Sequence, residues 1–284
     1  MDAREPRNRP PRHEPMFDAP RVVVALALLF IAIFAAYSWA RPEIQDLVIR
    51  DFAFVPGRLT VSYWPARAID LLVRANADAQ ALEQARAMRD LHALSGGAKL
   101  WTLLTYAFLH GSWTHVVLNT IWLIAFGPPV ARRFGAPRFL AFMALTAVVS
   151  ALAHWASAPM DFAPLIGASG SVSGLMGAVT RFMFQPGAPL GPQGFGSRGE
   201  IEAVPAASLR DILVESRTRI FLGIWLATNF VFGAFAQKLG LSDMPVAWVA
   251  HLGGFAAGLL LFGLFDLPPR LARMPGDESE SRSG

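Results

Sequence analysis

Long apolar segments with few internal charges succeed one another along this chain, at about 21–40, 113–130, 138–158, 169–184, 219–236 and 246–265. Apolar runs approaching or exceeding about 18 residues match the hydrocarbon thickness of a bilayer. In hydrocarbon every backbone N–H and C=O needs a partner within the protein, so segments of this kind cross as helices. The expected fold class is all-α: a polytopic membrane protein built as a six-transmembrane-helix bundle. Composition agrees, with 54% of the 284 residues hydrophobic and 16% charged, against about 25% charged in soluble domains.

Arginine placement gives the direction of each span. Arg4, Arg7, Arg9 and Arg12 precede the first span, and Arg132, Arg133 and Arg138 lie between the second and third. Arg181, Arg198, Arg210, Arg217 and Arg219 lie between the fourth and fifth, and Arg270 and Arg273 follow the sixth. With six spans all four groups fall on one side, which is then cytoplasmic, with both chain ends there. The connections at 159–167 and 237–245 hold few basic residues and belong outside.

The expected organisation is a disordered cytoplasmic N-terminus (1–20), a first transmembrane helix (21–40) and a long external loop (41–112). Helices two to six follow as a core over 113–265, then a disordered cytoplasmic tail over 266–284. Within the external loop Phe52 to Tyr63 reads as extended and Ala79 to Leu94 as a helix; 185–200, dense in Gly and Pro, reads as a flexible loop. Residues 1–20 are too polar for a signal peptide, and no small-residue cleavage site follows the first run, which is expected to stay. The basic balance, net +4 and pI near 10.1, comes from scattered arginines. Such charge orients spans and touches anionic lipid; nucleic-acid binding would need a basic soluble module that the chain lacks. The absence of cysteine excludes disulfides and thiolate metal sites.

Under this topology Ser169 opens span four from outside, His251 lies one to two turns into span six, and His115 and Asn119 lie just below the outer surface in span two. Four polar residues from three spans share one depth, and intramembrane polar groups are costly enough to point to function. Span four, from Ser169 to Phe184, covers 16 residues, roughly 24 Å of helix against a core of about 30 Å. The backbone from Pro164 to Ala168 then lies at membrane depth, tolerable where it lines a water-filled cavity. A serine hydroxyl needs a base to become a nucleophile, and histidine supplies one near neutral pH. Ser169 at a helix start offers its own N–H to an oxyanion, and His115 and Asn119, i and i+4 on one face, can aim donors at the same oxygen. Gly167 and Gly170 allow a tight turn and close approach. Gly170, Gly174 and Gly177 on span four, with Gly254 and Gly258 on span six, form the small-residue faces that let membrane helices come close. With no Asp or Glu inside spans four or six, a Ser–His dyad is expected rather than a triad.

These residues resemble the rhomboid family of intramembrane serine proteases over about 100–265. The likeness rests on Gly167-Ala168-Ser169-Gly170, the His251 region with its glycines, His110, and the His115/Asn119 pair. The resemblance implies a Ser169–His251 dyad with an oxyanion site of His115, Asn119 and the Ser169 N–H. It also implies single-span or membrane-anchored protein substrates, cut in or near a transmembrane helix at small, helix-breaking sequence. The chain departs from the family at Ser173, where many members carry an aromatic that packs on the histidine; here a hydroxyl contact is one way His251 could be held. It departs again at Trp101-Thr102, where many carry Trp-Arg.

Separately, each feature has a structural reading. Gly-Ala-Ser-Gly suits helix packing, His251 and Asn229 suit interhelical bonds, His110 and His154 suit interface contacts, and Trp113 and Trp155 suit an aromatic belt. Two other functions compete: a non-proteolytic relative that binds transmembrane helices, and a transporter or proton path using His115 and His251. The transporter predicts acidic residues within spans and inverted repeats, and neither is present. The serine–histidine scheme involves no metal, cofactor or nucleic acid. The Arg- and Ala-rich, Lys-poor usage suggests a bacterial cytoplasmic membrane, with the site opening to the periplasmic side.

Overall fold

The protein, seen in a computed structural model, is described over residues 19–74, 83, 97–186, 188, 204–235 and 247–266. In chain order the helices are α1 (Arg21–Ser38), α2 (Pro42–Phe52), α3 (Pro56–Tyr63), α4 (Pro65–Arg74) and α5 (Thr102–Thr105), with a 3-10 turn at Tyr106–Phe108. Then come α6 (Trp113–Phe134), α7 (Ala136–Ser157), α8 (Ser169–Val179), α9 (Leu209–Val214), α10 (Ser216–Phe235) and α11 (Trp248–Phe265). The described residues hold one isolated antiparallel bridge, Phe54 to Leu165. The fold is helical, as expected, and α1, α6, α7 and α11 are each long and apolar enough to cross a membrane.

The short helix α8 is the axis of the bundle. Gly170 through Val179 are all buried, enclosed by α6, α7 and α11. Lipid tails are as apolar as leucine, so this burial is held by close packing more than by a hydrophobic drive. A Cβ on Gly254 would strike the Gly170 carbonyl, one on Gly258 the Gly174 carbonyl, and one on Gly177 the Phe255 carbonyl. The two glycine faces read from the sequence therefore meet with backbones in contact. On the other side of α8, a Cβ at Gly174 would meet Thr146 at 2.7 Å.

Two sequence expectations are corrected. Phe52–Tyr63 is not extended: after the bridge at Phe54 the chain turns into α3. Pro56 presets its first turn, and tertiary bonds outweigh the β-propensity of Thr60 and Val61. The Thr60 hydroxyl bonds the Pro159 carbonyl, and the Trp155 indole donates to Thr60 Oγ1 at 2.8 Å. Span four is shorter than expected, its helix ending at Val179 and passing into turns over 180–186. Pro186 disfavours helical geometry at Gln185, and Thr180 Oγ1 turns back to the Gly177 carbonyl at 2.6 Å. Eleven residues give about 16 Å of helix, half the hydrocarbon thickness. All but residue 83 of the helix expected over 79–94 and most of the 185–200 loop lie outside the described residues, as do 1–18 and 267–284.

Polar anchors mark one end of the bundle. Arg133, at the end of α6, pairs with Asp266 at 2.6 and 2.8 Å and donates to the Val204 carbonyl at 2.8 Å. Arg181, just after α8, reaches the Ala207 and Leu259 carbonyls at 2.9 and 3.0 Å. Arg138 reaches the Phe265 carbonyl at 3.2 Å. Arginines from two of the four groups assigned to one side thus gather where α6, α8 and α11 finish. Ser169 opens α8 and His251 stands in the first turn of α11, so both lie toward the opposite end.

Candidate active site

The path to Ser169 is fixed from several directions. Phe54 and Leu165 exchange backbone bonds of 3.2 and 2.7 Å, and Gly57 N–H donates to the Asp161 carbonyl at 2.7 Å. The segment ahead of α5 thus holds the strand-like stretch that leads into α8. Gly167 N–H donates to the Tyr106 carbonyl at 3.0 Å, and the Tyr106 hydroxyl to the Ala147 carbonyl at 2.9 Å. Gly167 has φ of 115°, a conformation that side chains with a Cβ rarely adopt. This sharp turn delivers Ser169 as the first residue of α8, where backbone N–H groups have no helical acceptor and the dipole is positive.

On α11 the His251 Nε2 lies 2.7 Å from Ser169 Oγ. The approach of α8 and α11 through Gly170 and Gly254 is what allows so short a contact. Ser150 on α7 braces the same place: its hydroxyl donates to the Ala250 carbonyl at 2.7 Å and lies where a Cβ on Gly170 would go. Ser169 and His251 are both half-buried.

His115 and Asn119 face the same turn. A Cβ on Gly167 would meet His115 Cε1 and Nε2 at 2.7 Å and Asn119 Nδ2 at 3.9 Å. The α6 N-terminus sets this register, with Ser112 Oγ capping it by accepting from His115 N–H at 3.1 Å. Asn119 Nδ2 donates back to the His115 carbonyl at 3.0 Å. Gly111 N–H approaches His115 Nδ1 at 3.5 Å, a long contact that favours the ring proton on Nε2, the nitrogen turned to Gly167. His110 is buried and packs edge-on against His115, centroids 5.1 Å apart, and against Phe30 at 5.5 Å. His154 sits apart, 3.5 Å from Asp161.

The structure brings Ser169, His251, His115, Asn119, Gly167, Gly170 and Gly254 together, while Gly258 lies one turn farther along α11, against Gly174. What sequence reasoning did not identify is the far side of His251. Its Nδ1 lies 2.8 Å from Asn229 Oδ1 on α10, and Asn229 Nδ2 donates to the Trp248 carbonyl at 3.2 Å. The interhelical bond expected for Asn229 exists, and its partner is the candidate base. The signal was a lone amide in an otherwise apolar span. Ser169 and Asn229 take both ring nitrogens, so neither is left for a hydroxyl contact from Ser173. The anchoring of the segment between α1 and α6, open in the sequence because Thr102 stands where arginine is common, falls to other groups. Trp101 Nε1 donates to the Asp51 carbonyl at 2.8 Å, Lys99 Nζ pairs with Asp51 at 2.6 Å, and Thr105 Oγ1 donates to the Phe52 carbonyl at 2.8 Å.

Residues 97–266 match the model of the Rhomboid domain. The chain is 27% identical to the rhomboid protease GlpG of Serratia proteamaculans over 164 residues, covering 57% of this chain and 47% of the relative. It is 32% identical to the putative rhomboid protease YdcA of Bacillus subtilis over 77 residues, 27% of this chain and 38% of the relative. The rhomboid protease GluP of Bacillus subtilis is 32% identical over 88 residues, 31% of this chain and 17% of the relative. The chain thus spans less than half the length of these curated relatives. The domain match covers more than half of the sequence and contains Ser169, His251, His115 and Asn119, and the chain belongs to the rhomboid family.

Proposed function

We propose that the protein is an intramembrane serine endopeptidase that cleaves single-span or membrane-anchored proteins in or near their transmembrane segments. The observation that carries this reading is the 2.7 Å contact between Ser169 Oγ and His251 Nε2, beside a turn faced by His115 and Asn119. The names of the relatives support the activity class.

In this mechanism a substrate helix unfolds locally from lipid into the cavity beside α10, and its scissile carbonyl settles over Ser169. His251 Nε2 takes the hydroxyl proton as Oγ attacks the carbonyl carbon. The oxyanion is met by the Ser169 N–H, His115 Nε2–H and the Asn119 amide, fixed donors in a site of low dielectric. His251 then gives its proton to the departing amine, leaving an acyl-enzyme on Ser169. Water, deprotonated by His251, attacks the ester and releases the second product. Gly167 and Gly170 keep room above the serine, and Gly254 and Gly258 keep α11 close enough for the proton transfer. The chain then sits multi-pass in the bacterial cytoplasmic membrane, its site opening to the periplasmic side, with the arginine-rich end inside.

The test is purified protein in liposomes with a single-span fluorogenic reporter. Cleavage by the wild type that is lost in both Ser169→Ala and His251→Ala is expected. Reporter binding without cleavage by the wild type would instead favour a helix-binding relative, and cleavage surviving Ser169→Ala would overturn the mechanism.

A further inference from the structure

We infer that Asn229 is the positioning residue of the catalytic base: it selects the His251 tautomer that can accept a proton from Ser169, so that Ser169, His251 and Asn229 form one hydrogen-bonded line in which the neutral amide orients the ring and takes no proton. This rests on the proteolytic reading above and adds to it a residue on a helix outside the α6–α8–α11 core of the site.

The Trp248 carbonyl can only accept a hydrogen bond. Asn229 points one end of its amide at that oxygen, 3.2 Å away, so this end is the NH2. The other end, 2.8 Å from His251 Nδ1, is then the carbonyl oxygen, and an acceptor there requires a proton on Nδ1. A neutral imidazole with its proton on Nδ1 carries its lone pair on Nε2, which faces Ser169 Oγ at 2.7 Å. Three hydrogen bonds therefore have one self-consistent direction. In it Trp248 fixes the amide, the amide fixes the ring, and the ring stands ready as a base. A reversed amide would put a donor against Nδ1, move the ring proton to Nε2, and leave nothing to receive the serine proton.

Asn229 is held for this task. It is buried although Leu226, Phe230 and Val231 beside it on α10 are exposed. Residues 225, 229 and 233 recur at four-residue spacing and form the seam with α11. Trp225 stacks on Phe255 with centroids 4.1 Å apart, and Gly233 lies against the Trp248 side chain, where a Cβ would approach to 2.8 Å. Packed contacts thus flank the amide one turn above and below. The other imidazoles at this end, His110 ahead of α6, His115 on α6 and His154 on α7, are not hydrogen-bond partners of His251. Ser173, one turn along α8 from Ser169, is too small to clamp the ring by stacking. Among the described residues, the amide is the group that hydrogen-bonds the outer edge of the imidazole.

The experiment compares wild type and Asn229→Ala in liposomes by three readouts: reporter kinetics, the rate of Ser169 labelling by a fluorophosphonate, and the 15N spectrum of His251 in histidine-labelled protein. In the wild type His251 is expected as the Nδ1–H tautomer. In Asn229→Ala, kcat and the labelling rate are expected to fall about 10²-fold, the lower range of a general base's contribution, with KM within about threefold. His251 is then no longer a single tautomer. Asn229→Asp, whose carboxylate still accepts from Nδ1, is expected to restore the tautomer. A wild-type His251 protonated on Nε2 overturns the inference before any variant is made. So does Asn229→Ala labelling within threefold of wild type, or keeping the Nδ1–H tautomer. Trp225→Ala, which loosens the same seam without touching His251, separates positioning from helix adhesion: an equal loss of kcat and the same tautomer change there also overturn it. Cleavage indifferent to Ser169→Ala sinks the proteolytic reading itself, whereas cleavage that needs Ser169 and ignores Asn229 sinks this inference alone.

Discussion

Gly167→Ala is a sharp probe of the proposed oxyanion site, because the structure separates its two effects. The added Cβ would stand 2.7 Å from His115 Cε1 and Nε2, where carbon contacts settle at about 3.5–4.0 Å. The imidazole must retreat by about 1 Å, and a misplacement of that size costs about 10²-fold in rate, close to the about 10²–10³-fold lost with a single oxyanion donor. The substitution also strains the backbone, since φ at Gly167 is 115°, at about 1–3 kcal/mol. Gly135, between α6 and α7, supplies the control: its φ is 74° and a Cβ there meets nothing within 4 Å. Gly135→Ala is expected to lower thermal stability by a similar amount and to leave kcat/KM within about threefold. Gly167→Ala is expected to lower kcat/KM about 10²-fold. Initial rates of reporter cleavage in liposomes, with thermal inactivation measured on the same preparations, decide the matter. Since His115 is the group displaced, adding Gly167→Ala to His115→Ala should cost little more than His115→Ala alone, a non-additivity that a double-mutant cycle reads directly. Gly167→Ala at wild-type rates, or full additivity with His115→Ala, would refute the assignment of His115 to the oxyanion.

Further outcomes follow from other contacts. Asn119→Ala is expected to lower kcat by about 10²-fold with KM nearly unchanged, because its donor acts on charge that develops only in the transition state; equal changes in KM would place it in substrate binding. Gly258→Leu drives a side chain into the Gly174 carbonyl and should destabilise the bundle by about 2–3 kcal/mol, as overpacking does, read as earlier inactivation on heating in detergent. Asp266→Asn leaves Arg133 without its carboxylate at a largely buried site, side-chain exposures being 7% and 16%, and should cost about 3 kcal/mol in the same assay. Asp51 is held at about 2 by the Arg50 hydrogen bond first and by Lys99 next, below its unfolded value of about 3.9. A carboxyl depressed on folding stabilises fully above the unfolded value, and the stabilisation is lost as pH falls through the folded one. Loosening of the Lys99–Trp101 turn should therefore appear between about pH 4 and 2, followed by tryptophan fluorescence, and Asp51→Asn should remove that pH dependence.

What the sequence disclosed and what it withheld follow from one physical distinction. Ser169, His251, His115 and Asn119 could be brought together on paper because each position is fixed by a span boundary and a helical repeat, and the glycine faces could be paired because backbone contact needs small residues at four-residue spacing. Those are properties of one helix at a time. The helix at 56–63 was not legible, because Thr60 and Val61 favour strand and only Pro159 and Trp155, about a hundred residues away, hold them in α3. The end of α8 at Val179 was hidden for a similar reason, the apolar run continuing to Phe184 while Arg181 turned aside to carbonyls of two other segments. Asn229 is the most telling case. Its polarity announced a partner, but which partner depends on the rotation of α10 about its own axis, and α10 carries apolar residues all round, from Ile224 and Leu226 to Phe230 and Val231. A helix without a polar face gives no rotational signal. That angle is set by two aromatic contacts, Trp225 on Phe255 and Gly233 under Trp248, and a rotation of one residue, about 100°, would carry the amide away from His251 altogether. The proposed chemistry thus depends at its outer edge on packing between α10 and α11, while its centre depends on helix starts and glycine spacing. A sequence in which position 229 lost its amide could keep Ser169, His251, His115 and Asn119 in place and still lose the tautomer that lets them work.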